Sequence, residues 1–211
     1  VFHGSVYGYG YNQDLVGQYL LASGDKSDKY TDEMTYQAGV TVSGPILKDK
    51  LFFFASYEKS DKSYPNSYGL GSKQSRVDET AAKAVYDFIV KESKAQGYEY
   101  TGQLPSDLQV YTKSDKVAAK LDWNINDRHH ASLRWSMVDA RKNNQTAGAS
   151  SLVTNDYAYD FVSKTNSLVL ELQSRLSDNL NNEFHASWTS VRDKRNPGLA
   201  FPMVSVSNVG G

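Results

Sequence analysis

The sequence contains no cysteine, only four histidines and no excess of positive charge. The lack of cysteine excludes a disulfide framework, a thiolate zinc site and a cysteine nucleophile. Basic residues number 23 and acidic residues 24, so the chain lacks the basic surface by which proteins bind the phosphate backbone of nucleic acids. A nucleic-acid partner is therefore not expected.

Long apolar runs are also missing. No segment approaches the roughly 18 consecutive apolar residues of a membrane-spanning helix, which excludes a helical membrane protein. A transmembrane β-barrel is not excluded, because each of its strands needs only about 9 to 11 residues with one apolar face. Such a barrel can have the low mean hydropathy of this chain.

Aromatic residues are abundant, with 15 Tyr, 8 Phe and 3 Trp, and together with β-branched residues they alternate with polar residues. A period of two is typical of strands that have one apolar face. It predicts an all-β, antiparallel fold of about seven strands, at residues 2–11, 35–44, 51–59, 115–124, 129–138, 161–176 and 182–192.

The predicted strands separate an apolar face from a charged one. In the fourth, Leu121 and Trp123 alternate with Lys120 and Asp122. In a barrel, the charged face of these strands would line the lumen, with Lys120, Asp122, Arg134, Glu171 and Arg175 as its clearest members. The same pattern also fits a soluble sandwich with an aromatic core and a charged exterior, so it leaves both possibilities open.

The connections between the strands alternate in length. The segments 45–50, 125–128 and 177–181 are short, whereas 12–34, 60–114 and 139–160 are long and polar. Loops of that length are uncommon inside compact soluble domains. Short turns at one rim and long loops at the other are typical of an outer-membrane barrel, with the turns in the periplasm and the loops outside the cell.

The connection 60–114 contains the one convincing helix, predicted over residues 76–96. Apolar residues recur there at helical spacing, Ser75 is placed to cap the first turn, and Gly97 to end the last. The helix is amphipathic and is expected to pack on loop structure. No repeat or low-complexity linker divides the chain, so residues 1–211 are predicted to form one partial barrel domain with an insertion at 60–114.

Signatures of enzymes and of metal sites are missing. The sequence has no GxSxG, GxxxxGK[ST] or HExxH motif. His129 and His130 are adjacent in a predicted strand, so their side chains point to opposite faces and cannot chelate one metal ion. The acidic segment 24–33 lacks the spacing of a calcium loop. We therefore expect no enzymatic activity, no metal and no cofactor.

Several stretches follow one another in a distinctive order. They are FHGSVYGY at 2–9 with Asn12, GPILKDKLFFF at 44–54 with SYE at 56–58, KLDWN at 120–124 with DRH at 127–129, NEF at 182–184, RD at 192–193 and FP at 201–202. In this order they resemble the first barrel strands of TonB-dependent outer-membrane receptors, and in particular the Oar-like branch. The similarity extends over most of the chain and is weakest in the helix-bearing loop.

The resemblance implies a location in the bacterial outer membrane and the import of a scarce nutrient ligand. In such receptors a barrel of about 22 strands closes around a plug domain, so seven strands would be roughly its first third. The plug and its TonB-contacting segment precede the barrel in the family, so we expect neither of them within residues 1–211. The implied partners are outer-membrane lipid, the receptor's own plug and remaining strands, the TonB complex and an unidentified nutrient.

Ligand contacts are expected among the tyrosines of the long loops, because their flat amphipathic rings suit sugars and peptides. The candidates are Tyr30, Tyr64, Tyr68, Tyr157 and Tyr159. Seven strands alone would leave two unpaired edges in hydrocarbon, so we expect further strands to complete the sheet. The alternatives are a soluble extracellular β-sandwich that binds glycan or protein, and a small structural or adhesive outer-membrane barrel.

Overall fold

The computed structural model describes residues 1–29, 31–66, 68–104, 109–145, 147–154 and 157–198. Its main feature is one antiparallel sheet in which each strand pairs with the next along the chain. The strands are β1 (His3–Asn12), β2 (Met34–Leu47), β3 (Leu51–Pro65), β4 (Gln109–Asn126), β5 (His129–Asn144), β6 (Tyr159–Ser177) and β7 (Leu180–Pro197). This confirms the predicted all-β fold of seven strands. The sheet is not closed, since no pairing joins β1 to β7 within the described residues.

The strands are longer than the sequence predicted, mainly at the ends that lead into the long connections. β3 continues to Pro65 instead of ending at 59, and β4 begins at Gln109 instead of 115. The hydrogen-bonded pairing continues through Asp61 and Lys113, where the apolar alternation has already stopped. The prediction followed side-chain hydropathy, whereas the backbone ladder does not require it.

The connections confirm the predicted alternation of lengths. The short turns occupy 48–50, 127–128 and 178–179, and the long connections occupy 13–33, 66–108 and 145–158. Because successive strands are antiparallel, the three short turns lie at one rim of the sheet and the three long connections at the other. We call these the turn rim and the loop rim.

The long connections contact one another above the loop rim. The Lys73 ammonium lies 3.3 Å from the Asp28 carboxylate, which joins the second connection to the first. The backbone N–H of Arg76 donates to the carbonyl of Ala149 at 2.7 Å, and its guanidinium donates to the Ser150 hydroxyl at 2.8 Å. These bonds join the second connection to the third, so the loops form one layer.

The predicted helix is present as α1 (Glu79–Ala95), shorter than the predicted 76–96. Its N-cap is Asp78 and not Ser75, because the Asp78 carboxylate accepts a hydrogen bond from the N–H of Ala81 at 2.9 Å. Gly97, with φ of 77°, follows the helix as expected for a left-handed C-terminal stop. None of the described helices is both long and apolar enough to cross a membrane.

Candidate functional site: the two faces of the sheet

The apolar residues of the strands form continuous rows across one face of the sheet, which we call the apolar face. The rows follow from the pairing register, because directly paired residues point to the same side. From the turn rim towards the loop rim, the first three rows of β4 to β7 are Trp123–Ala131–Leu172–Phe184, Leu121–Leu133–Leu170–Ala186 and Ala119–Trp135–Leu168–Trp188. The predicted sharing of a face by these residues is therefore confirmed.

No other part of the described protein covers this face. Trp123, Phe184 and Trp188 remain 50%, 50% and 57% exposed. Among the described residues, the buried hydrophobic ones are only Ala82 and Val110. An exposed apolar surface of this extent marks contact with a membrane or a partner. A soluble sandwich would instead cover it with a second sheet, and no second sheet exists in the described part of the chain.

Charged residues replace apolar ones on the same face towards the loop rim. After an intermediate row, two rows contain Asp115–Asp139–Lys164–Arg192 and Lys113–Arg141–Val162–Lys194. Lys164 pairs with Asp139 at 3.3 Å, and Lys113 pairs with Asp61 at 3.0 Å. Beyond these rows, burial and a hydrogen bond to Asp160 raise the pKa of the Tyr111 hydroxyl, which donates to that carboxylate at 2.8 Å. The apolar part of the face is thus bounded by a hydrated part.

On β5 and β7 the outermost aromatic residues of the apolar face are Trp135 and Trp188, which lie in the same row. The charged rows begin two rows beyond them, so the apolar part of these strands ends between the two.

The opposite side of the sheet, which we call the polar face, contains most of the charged residues predicted to line a lumen. Their positions in the register place Lys120, Asp122, Arg134 and Glu171 on this face. Lys120 pairs with Asp122 at 2.8 Å. Arg175 lies at the turn end of β6, where its guanidinium bonds to Asp178 of the adjacent turn at 3.0 Å. That these residues line an enclosed lumen stays a prediction.

One row of the polar face is joined by hydrogen bonds across four strands. Tyr7, Gly39, Glu58 and Lys116 are direct neighbours in the register. The Tyr7 ring lies over Gly39, where an added Cβ would overlap it, and the Tyr7 hydroxyl donates to the Glu58 carboxylate at 2.6 Å. The Lys116 ammonium donates to the other Glu58 oxygen at 2.8 Å. The glycine therefore lets a side chain of β1 reach β3.

A second row of the polar face contains only small residues. It crosses all seven strands and consists of Ser5, Thr41, Ser56, Ala118, Ser136, Ser167 and Thr189. Hydroxyl pairs join neighbours at two places, Ser5 with Thr41 at 2.6 Å and Ser167 with Thr189 at 3.2 Å. We call it the small-residue row. It forms a low band on the wall between rows of longer side chains.

At the loop rim, a cavity of about 240 Å³ opens beside the ends of β3, β4 and β5. We call it the rim pocket. It is lined by Tyr64, Asn66, Tyr68, Val110, Lys142, Asn143, Asn144, Gln145 and Ala147. The Asn144 amide donates to the Tyr159 hydroxyl at 2.5 Å. Two buried side-chain oxygens, Asn143 Oδ1 and Gln145 Oε1, have no hydrogen-bond partner among the described residues. The pocket thus combines flat aromatic surface with amide groups and one ammonium.

The predicted ligand tyrosines differ in their relation to the rim pocket. Tyr64 and Tyr68 line it, and Tyr159 contacts it through Asn144. Tyr157 is 49% exposed and is not among its lining residues, and Tyr30 lies outside the described residues. Sequence analysis missed the 142–145 lining, because β5 was predicted to end at 138. The only signal there was a run of amide residues, which also suits an ordinary loop.

A larger concavity of about 980 Å³ lies between the turns of the opposite rim. It is lined by hydrated turn residues and has no Tyr, Trp or Phe, so we prefer the rim pocket as a ligand site. His129 and His130 lie there and point to opposite faces as predicted, since His129 contacts Ser174 at 2.9 Å and His130 contacts Asn124 at 2.7 Å. No group of three His, Asp or Glu able to hold a metal ion occurs among the described residues.

Comparison with protein families agrees with the geometry of the two faces. The family model described as an outer membrane beta barrel domain matches the chain at residues 1–72 and 65–208. Comparisons with curated proteins and with solved structures gave no match. The family match and the single uncovered sheet overturn the soluble β-sandwich. The chain belongs to the outer membrane beta barrel domain family, and its location is the bacterial outer membrane.

Proposed function

We propose that the chain is the ligand-capturing wall of a TonB-dependent outer-membrane receptor that imports a nutrient, and that it has no enzymatic activity. The observation on which this rests is the rim pocket, where Tyr64 and Tyr68 meet a cluster of amide side chains at the mouth of the polar face. The resemblance of the strand sequences to the Oar-like branch gives further support.

The chemistry of the rim pocket favours a polar, hydrogen-bonding ligand such as an oligosaccharide or a peptide. Tyrosine rings offer flat surfaces for stacking, and amide groups both donate and accept hydrogen bonds. Asn66 and Asn144 line the pocket beside the two tyrosines, and their amide groups would hydrogen-bond to such a ligand. The ligand would therefore supply hydroxyl or N–H groups.

The small-residue row supports a partner inside the barrel. Short hydroxyl side chains let another polypeptide approach the wall closely and hydrogen-bond to it. In the proposed receptor that partner is its own plug domain, and further strands close the sheet. Ligand capture at the loop rim would be followed by plug rearrangement driven through the TonB complex.

Uptake tests this function. We expect Tyr64→Ala/Tyr68→Ala to raise the half-saturating ligand concentration about tenfold, the size of effect seen for buried tyrosines at binding sites. The matched control, Tyr157→Ala, removes an exposed tyrosine outside the pocket. The measurement is the uptake by cells of a panel of fluorescent oligosaccharides and peptides, with and without TonB. Uptake that continues without TonB would contradict the receptor, and no uptake of any probe would favour a structural or adhesive barrel.

Surface labelling tests the orientation separately. With long loops outside the cell, Ser150→Cys should react with a membrane-impermeant thiol reagent on intact cells, and Asp178→Cys should react only after lysis. The two positions lie at the loop rim and the turn rim respectively. Labelling of Asp178→Cys alone on intact cells would reverse the orientation.

A further inference from the structure

Four basic residues lie close together on β5, β6 and β7, in the charged rows between the apolar part of the apolar face and the loop rim. We call Arg141, Lys164, Arg192 and Lys194 the cationic cluster. They occupy two adjacent rows, in which Arg141 and Lys194 flank Val162 and Lys164 pairs with Arg192 in the register. Strand spacing puts the Cα atoms of Arg141 and Lys194 about 10 Å apart. The four side chains can therefore reach one ligand.

The cluster has an excess of positive charge. Asp139 is the one acidic residue in these two rows of β5 to β7, and it pairs with Lys164 at 3.3 Å. Arg141, Arg192 and Lys194 make no ion pair within the described part of the chain, and all three are exposed. On β3 and β4, by contrast, Lys113 is neutralised by Asp61.

The surface below the cluster changes in polarity in steps. Going from the cluster towards the turn rim, the first row on this face contains Asn166 and Ser190, and the second contains Leu168 and Trp188. From Trp188 upwards the order is thus apolar, then amide and hydroxyl, then cationic. An anionic lipid has the same order, from acyl chains through ester and sugar groups to phosphates.

The cluster also lies at the depth of lipid headgroups. Arg192 is four residues beyond Trp188, which is about 13 Å along the strand and about 10 Å along the membrane normal for a strand tilted by about 40°. Long Arg and Lys side chains can extend back towards the membrane by several ångströms. Their charged groups therefore fall within the headgroup layer of one leaflet.

We propose that the cationic cluster binds the phosphates of a phosphorylated glycolipid of the outer leaflet, with its acyl chains along Leu168 and Trp188. This proposal goes beyond nutrient import and rests only on the orientation of the proposed function, with the loop rim outside the cell. The lipid would be held from outside the barrel, at a surface separate from the rim pocket.

The test uses the protein purified from its outer membrane in mild detergent, with diphosphorylated lipid A as the probe in native mass spectrometry. We expect Arg192→Gln/Lys194→Gln to weaken lipid A binding at least tenfold, since each cation near an anionic lipid surface contributes about fivefold or more. The control, Lys48→Gln/Lys50→Gln, removes the same charge at the turn rim and should bind as the unchanged protein does. If the double variant fails to fold, Arg141→Gln takes its place in the experiment. This single variant should weaken lipid A binding about fivefold.

Three results would overturn the proposal: unchanged binding by Arg192→Gln/Lys194→Gln or by its substitute, equal binding of the dephosphorylated lipid, or full displacement of lipid A by inorganic phosphate at low millimolar concentration. Weakened binding in Lys48→Gln/Lys50→Gln alone would overturn both the proposal and the orientation. If the uptake experiment contradicts nutrient import while lipid A binding behaves as expected, only the proposed function is refuted.

Discussion

The two faces of the sheet use the same strands but depend on different surroundings. On the apolar face, Leu121, Leu133 and Leu170 lie side by side in one row and remain 40%, 40% and 41% exposed. On the polar face, Tyr7 and Lys116 both bond to Glu58 in a single row. The apolar face depends on a membrane that adapts to any apolar shape, whereas the polar face depends on particular contacts.

This contrast predicts that charge disturbs the apolar face and that shape disturbs the polar face. The largest expected effect is that of Leu170→Arg, because a cation on the lipid side of a barrel near mid-membrane costs about 2 to 4 kcal/mol. Glu171→Arg, one residue away on the polar face, keeps a long charged side chain and should be milder. Outer-membrane yield and heat-modifiable mobility on gels measure both. Equal tolerance of the two would contradict the assignment of faces.

The next effect concerns the shape of the polar face. In Gly39→Ala the new Cβ overlaps the Tyr7 ring, so the hydrogen bond to Glu58 is lost and stability falls by about 1 to 3 kcal/mol. The control is Gly8→Ala, whose nearest neighbour, the carbonyl of Gln37, would lie 3.9 Å from the Cβ. The unfolding temperature in detergent distinguishes them. An equal decrease in both variants would mean that Tyr7 does not depend on Gly39.

The smallest effect is expected in the charged rows near the loop rim. Asp139→Asn breaks the pair with Lys164, whose side chains are 44% and 48% exposed, and should change stability by less than about 1 kcal/mol. The same unfolding measurement applies, at low and at high salt. A larger loss that persists in high salt would show that these rows stabilise the sheet as the polar face does.

The number of strands and their two faces followed from the sequence alone. A strand alternates its side chains with a period of two, so Leu121, Asp122 and Trp123 reveal their faces without knowledge of any neighbour. The lengths of the connections likewise predicted two unlike rims. The true ends of the strands did not follow, because pairs such as Asp61 with Lys113 extend the ladder through charged residues that resemble a loop.

Which residues from different strands lie next to one another was determined by the tertiary structure. Tyr7 reaches Glu58 across Gly39, and Tyr64 meets Asn144 in the rim pocket, only because the register aligns particular residues of different strands. The cationic cluster likewise combines β5, β6 and β7. Alternation excludes a pairing shifted by one residue, because such a shift would move every side chain of a strand to the other face, but it allows shifts of two residues, which keep the faces and change every neighbour. Register therefore had to come from the folded sheet.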